Sequence, residues 1–194
     1  MLIGLTGKYC AGKNYIAVIL EKKGLPVLDV DKLGYEALEA EKEAVFARFG
    51  RDLRRTDGSV DRQLLGKRVF GQPDELTALE NIVHPYANRL TEEWITAQRG
   101  QSCVINAALL HRSWAFNRLD MVILVTAPFF TRLLRAYKRD KLSFFALLRR
   151  FARQKNFNSQ YLSAKAEIYR VENPGFAGFS RLERRIEEIL ARVY

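Results

Sequence analysis

Seven residues near the amino terminus, Gly7-Lys8-Tyr9-Cys10-Ala11-Gly12-Lys13, have the G-x-x-x-x-G-K spacing of a phosphate-binding loop, and Asn14 follows them. Glycines at the two ends let the backbone curl so that its N–H groups face an anion. A helix that begins directly after the loop adds partial positive charge there. Lys13 is placed to reach the β- and γ-phosphates of a nucleotide. The position after Lys13 ordinarily carries a Ser or Thr hydroxyl that ligates Mg²⁺. Asn14 offers a neutral carbonyl oxygen instead, which suits the metal, a metal-bound water or the start of a helix.

Two carboxylates lie close behind, Asp29 and Asp31 in LPVLDVDKLG. Next to a phosphate site, a carboxylate at a strand end can accept a proton from an attacking hydroxyl and organise Mg²⁺. Asp31, further past the strand, is the preferred base. Its competing role is the N-cap of a helix over residues 32–49. His84-Pro85 in IVHPYANRL falls in a helical stretch, where a His is either structural or substrate-facing. Arg139-Asp140 closes a helix that starts near Pro128. An Arg there suits the charge of a transferring phosphoryl group, or a surface ion pair.

Five apolar segments, residues 2–5, 26–30, 102–106, 121–126 and 167–171, read as strands separated by helical patterns. That alternation predicts an α/β fold with a parallel sheet, and ligands beyond the carboxyl ends of its strands. Residues 14–23 read as the helix after the loop. The stretch of about 70 residues between the second and third strands contains the turn Asp57-Gly58-Ser59 and the helix start Gln72-Pro73-Asp74. It reads as an inserted helical subdomain for a second substrate. Residues 128–160 read as a basic helical pair, a candidate lid. The last helix, residues 180–193, packs through Leu182, Ile186, Ile189, Leu190 and Val193.

With 194 residues the chain can bury a good core as one domain. No stretch is apolar enough to span a membrane, and the first residues lack the basic region of a signal peptide. Cys10 and Cys103 are expected as reduced thiols of a cytoplasmic protein. No Cys/His cluster has zinc spacing. The net charge of +10 is concentrated in Arg132, Arg135, Lys138, Arg139, Lys141, Arg149, Arg150 and Arg153, interleaved with Phe144, Phe145, Leu147, Leu148 and Phe151. Nucleic acid or a highly phosphorylated small molecule would satisfy such a field. No nucleic-acid module accompanies it, so no nucleic-acid partner is expected.

Taken together, GLTGKYCAGKN, GLPVLDVDKLG, DGSVDRQLLGKRVFGQP, IVHPYANRL, INAALLHR, RLLRAYKRD and ENPG, in this order, resemble the dephospho-CoA kinase family over nearly the whole chain. The resemblance implies transfer of the ATP γ-phosphoryl group to the 3′-hydroxyl of dephospho-CoA, with ATP and Mg²⁺ required. It implies a three-layer fold of the P-loop NTPase type, with a five-stranded parallel sheet, an inserted helical substrate subdomain and a helical lid. Residues 1–31, 100–138 and 164–194 would form the nucleotide-binding core, 32–99 the CoA subdomain and 139–163 the basic lid. By position, Gly7, Lys8, Tyr9, Cys10, Ala11, Gly12, Lys13 and Asn14 hold the ATP phosphates, and Asn14 and Asp31 the metal. Asp31 is the base, Lys13 and Arg139 neutralise transferring charge, and Asn173 and Gly175 form an adenine-side turn. Arg150, Gln154, His84 and Pro85 fall on the side of the second substrate. The chain departs from the family at Lys8-Tyr9, usually Gly-Ile, at Asn14, usually Ser, at Asn106, at Ala108 and at His111-Arg112. Such departures keep open two alternatives, a catalytically impaired nucleotide or CoA sensor and a P-loop kinase for another small hydroxyl substrate. A monomer or weak homo-oligomer is expected.

Overall fold

A computed structural model describes residues 1–140, 143–152, 154, 157, 161, 165–175 and 179–193. Lys141 and Arg153 of the basic run, residues 142, 155–156, 158–160 and 162–164 of the 139–163 segment and just after it, and the side chains of Phe144, Phe145, Phe179 and Val193 lie outside the described residues. The chain divides into two compact units, Met1–Leu28 with Gln98–Tyr194, and Asp29–Ala97.

The first unit is built on a parallel sheet. Its strands are β1 (Leu2–Gly7), β2 (Val27–Asp29, which leads into the second unit), β3 (Cys103–Asn106), β4 (Met121–Thr126) and β5 (Glu167–Glu172), in the order β2-β3-β1-β4-β5. β1 is central, with Leu5 opposite Asn106 of β3 and Gly7 opposite Val125 of β4, and β4 sets Thr126 opposite Glu172 of β5. β1, β3 and β4 are apolar along most of their length, with Thr6, Asn106 and Thr126 near their carboxyl ends, because both of their faces are buried. On one face Ile3, Leu5, Val104, Met121, Ile123 and Val125 pack against Ile16, Ile19 and Leu20 of α1 (Lys13–Lys22). The same cluster takes in Leu182, Ile186 and Ile189 of α8 (Phe179–Val193). On the other face a Cβ at Gly4 would meet Leu110 and Leu119 at 2.6 and 2.7 Å, so the absent side chain is the room those leucines occupy. All five expected strands are present with ends shifted by up to two residues, and no helix among the described residues is long and apolar enough to cross a membrane.

The second unit is helical: α2 (Val30–Ala40), α3 (Lys42–Phe49), α4 (Arg62–Val69) and α5 (Pro73–Ala97). Leu38, Val45, Phe46, Phe49, Leu53, Val60, Leu65 and Val69 form its core. Asp61 caps α4, accepting from the amides of Gln63 and Leu64 at 3.0 Å each. Asp57 accepts from the Ser59 amide at 2.9 Å in the expected turn, and Pro73 opens α5.

Two expectations need correction here. The single helix over residues 32–49 is two helices with a break at Glu41 (φ −96°, ψ 18°). Leu38 of α2 and Val45, Phe46 and Phe49 of α3 share one core, and their i, i+7, i+8, i+11 spacing fits one helix face, so the apolar periodicity runs straight through the break. Nor is Asp31 a helix cap. Asp29 holds the position before α2, without a side-chain cap bond, and Asp31 is an exposed residue of the first helical turn. An acid there is favoured by the helix dipole without capping anything.

Candidate active site

The phosphate-binding loop begins where β1 ends. At Gly7 a Cβ would lie 2.8 Å from the Val125 carbonyl oxygen, so only glycine lets β1 run this close to β4. The chain then turns back, with the Ala11 amide donating to the Lys8 carbonyl at 2.9 Å. Cys10 takes a left-handed conformation (φ 58°), which costs an L-residue about 1–2 kcal/mol. Gly12 (φ 95°) precedes α1, and its carbonyl accepts from the amides of Tyr15 and Ile16 at 3.0 and 3.4 Å. Lys13 and Asn14 are therefore the first two residues of α1, where the positive end of the helix dipole favours an anion. Asn14 is exposed and sits inside the helix, and Gly12 fills the capping position.

Two residues fix the outer side of the loop. Asn173, buried at the end of β5, donates through Nδ2 to the Ala11 carbonyl at 2.9 Å. Its Oδ1 accepts from Arg135 Nη2 at 2.9 Å. Arg135 lies on α6 (Phe129–Asp140) and also reaches the carbonyls of Ala11 and Cys10, at 3.2 and 3.4 Å. A trans peptide sets its N–H opposite its carbonyl, so holding the Ala11 carbonyl turns the Gly12 N–H away from Asn173 and Arg135, while the Ala11 N–H is already given to Lys8. Sequence reasoning gave Arg135 no role beyond its charge. The signal was its spacing, since Arg132, Arg135 and Arg139 recur at three and four residues and so share one helix face.

On its other side the loop meets α6 and α7 (Phe144–Ala152) through Tyr9. The Tyr9 amide donates to Gln154 Oε1 at 2.8 Å, and its hydroxyl donates to Asp140 Oδ2. Arg150 Nη1 lies 3.2 Å from the Tyr9 hydroxyl and 3.4 Å from Asp140 Oδ2, and Arg139 Nε donates to Asp140 Oδ1 at 2.7 Å. Both guanidiniums also lie over the Tyr9 ring, at 5.1 Å for Arg139 and 5.7 Å for Arg150, and Phe151 packs edge-on to it. Buried Arg132 donates to the Ala127 carbonyl and lies over the Phe151 ring. The structure thus gathers Tyr9, Arg139, Arg150 and Gln154 into one cluster, with Asp140 at its centre.

These cations shape the loop's titration. Burial, helped by Arg132 and Arg170, holds the Lys8 ammonium below the usual lysine value. Burial pushes the Cys10 thiol up, outweighing the opposing pull of Arg139, Arg132, Arg135 and Arg150. Cys10 is thus a protonated thiol and no ready nucleophile. Because neutral Lys8 offers phosphate no charge, ATP affinity is expected to start falling with rising pH before an ordinary lysine titrates. Titrations of ATP between neutral and alkaline pH should show that decline, and Lys8→Met should flatten it.

The remaining residues fall as follows. Gly175 (φ 129°) follows Asn173 and Pro174 in a turn tied to α6 by Thr131, whose hydroxyl donates to the Pro174 carbonyl at 3.3 Å. Asn106, buried at the end of β3, has an Oδ1 with no hydrogen-bond partner. Asp31, His84 and Pro85 belong to the second unit, Asp31 on α2 and the exposed His84-Pro85 pair within α5.

A parallel sheet whose central strand runs through G-x-x-x-x-G-K into a helix defines a P-loop protein, and the family match below makes it an ATP-dependent kinase. Shikimate kinase from Acinetobacter baumannii shares the fold, with a TM-score of 0.57 at 17% identity over 98% of this chain and 93% of that one. The sequence model of dephospho-CoA kinase matches residues 1–173, and the chain belongs to the dephospho-CoA kinase family. The dephospho-CoA kinase of Treponema pallidum is 34% identical over 98% of this chain and 94% of its own length. That of Geobacter sulfurreducens is 34% identical over 98% of each. The crystal structure of TT1252 from Thermus thermophilus matches with a TM-score of 0.84 at 31% identity, covering 100% of this chain and 98% of that one.

Proposed function

We propose that this protein transfers the γ-phosphoryl group of ATP to the 3′-hydroxyl of dephospho-CoA, giving CoA and ADP, the last step of coenzyme A synthesis. The observation that carries the reading is the family match over residues 1–173, which spans the loop, Asp31, the His84-Pro85 pair and the arginines of α6 and α7. In this reading Gly7 to Asn14 bind the ATP phosphates through backbone amides, and Lys13 with Arg139 neutralises the charge that develops during transfer. Asp31 accepts the proton of the attacking hydroxyl. Residues 32–99, with His84 and Pro85, bind the CoA moiety. Arg150 and Gln154 act from the 139–163 segment, and Asn173 with Gly175 lies on the adenine side.

The donors available to Mg²⁺ are oxygens of the hard type it prefers: the Asn14 carbonyl, the Asp31 carboxylate and the unpartnered Oδ1 of buried Asn106. Among the described residues no group of three or more His, Cys, Asp or Glu could hold a metal, so most of the negative charge at such a site must come from the nucleotide. Asn14 and Asp31 would hold the ion, which when bound draws charge from the β- and γ-phosphates. The two thiols, one buried in β3 and one in the loop, support a cytoplasmic enzyme, and we read it as a monomer or weak homo-oligomer.

The test is coupled ADP release from ATP and Mg²⁺, with and without dephospho-CoA. Release that depends on dephospho-CoA, with CoA as product, is the expected result. ATP and dephospho-CoA binding without turnover would reject it.

A further inference from the structure

We infer that Asp140, held by Tyr9, is an internal competitor of ATP: the groups it and Gln154 occupy are those a phosphate would take. The inference rests on the reading that the 7–14 loop binds the phosphates of ATP.

Three contacts carry it. The Tyr9 amide is one of the loop's N–H groups, and Gln154 Oε1 accepts from it at 2.8 Å. One N–H makes one good hydrogen bond, so Gln154 and a phosphate oxygen exclude each other there. Arg139 spends Nε and Nη2 on the two oxygens of Asp140, at 2.7 and 3.3 Å, the forked pairing a phosphate would otherwise receive. Arg150 Nη1 faces the same carboxylate at 3.4 Å and the Tyr9 hydroxyl at 3.2 Å. The Asp140 side chain is only 17% exposed, so solvent screens it less than an ordinary surface carboxylate.

Tyr9 is the part of this cluster that lies on the loop itself. Its ring carries both guanidiniums and packs on Phe151, while its hydroxyl binds Asp140. Tyr9 is therefore a positioning residue: it keeps Arg139 and Arg150 beside the loop, paired with Asp140 until a phosphate replaces the carboxylate. Such an exchange leaves the arginines in place and swaps one anion for another.

Competition and mere support predict opposite signs. If Asp140 only supports the fold of α6 and α7, removing its charge weakens ATP binding. If it competes, removal strengthens binding. Calorimetric titration with ATP and no second substrate is the test, on proteins shown by circular dichroism and thermal melting to be folded. Asp140→Asn is expected to tighten ATP binding about three- to tenfold, the size of one or two partly screened ion pairs. It should also steepen the loss of affinity with added salt, because two uncompensated arginines then face the nucleotide. Tyr9→Phe, which keeps the ring and loses the hydroxyl, is expected to tighten binding about twofold. Unchanged or weaker binding in folded Asp140→Asn overturns the inference, and if that variant does not fold, the sign of the Tyr9→Phe change decides. A wild-type protein that fails to bind ATP would reject the loop reading and the competition with it. Wild-type binding without tightening in the variants rejects the competition alone.

Discussion

Asp31→Asn is expected to lower kcat by about 10²- to 10⁴-fold, the range a positioned general base supplies. Affinity for ATP titrated without Mg²⁺ should stay nearly unchanged, because the phosphates are assigned to residues 7–14. The substitution is nearly isosteric, and the side chain is exposed in the first turn of α2, so folding should survive it. The helix dipole loses a favourable charge there, a small effect at an exposed site. Steady-state turnover combined with direct ATP titration separates the outcomes. A folded Asp31→Asn protein with wild-type turnover would remove Asp31 as the base. Weakened ATP binding at unchanged kcat would instead assign Asp31 to the nucleotide.

The second large effect is expected at Gly12. Alanine there would have to keep a φ of 95°, which side chains rarely adopt, and its Cβ would lie 2.2 Å from Asn173 Nδ2. Asn173 cannot step aside cheaply. It is buried, and both ends of its amide are engaged, by Ala11 and by Arg135. Displacing it releases the Ala11 carbonyl, and with it the anchoring that orients the Gly12 N–H. Backbone strain of about 1–2 kcal/mol plus one or two broken hydrogen bonds of about 1 kcal/mol each gives a loss of about 2–4 kcal/mol. ATP binding should fall on the order of a hundredfold, since that free energy has to be spent to rebuild the loop. Thermal unfolding and ATP titration check both numbers. The double variant Gly12→Ala/Asn173→Ala offers a sharper test, because removing Asn173 opens the space that the new Cβ needs. Its combined cost should be less than the sum of the two single costs. Strict additivity would show that the clash with Asn173 is not the source of the damage.

Legibility differed with the range of the interaction. The loop was readable because its constraints are local: a left-handed residue before a helix calls for glycine, and Gly12 stands there. β1, β3 and β4 were readable because strands covered on both faces need largely apolar runs. The break between α2 and α3 was not readable. No Gly or Pro marks Glu41, and Leu38, Val45, Phe46 and Phe49 keep one helical periodicity across it, so the pattern carries no sign of the break. The competing cap role stayed open for Asp31 because two acids two residues apart both suit a helix start, and the observed backbone gives the position before α2 to Asp29.

The sequence by itself determined which residues can do phosphate chemistry, that they belong to an α/β fold with a parallel sheet, and the family to which they point. Tertiary structure decided which distant groups meet that loop. Asn173 reaches Ala11 across 162 residues of chain, Gln154 reaches the Tyr9 amide across 145, and Arg135 reaches the Ala11 carbonyl across 124. The physical reason is the strand order. Setting β4 beside β1 and β5 beside β4, all parallel, brings the carboxyl ends of three strands to one edge of the sheet, where the residues that follow β5 meet the loop. Periodicity reports which face of an element is buried, but not which neighbour lies against it. The positions of Arg135, Asp140 and Asn173 around the loop therefore emerged only when the sheet was assembled.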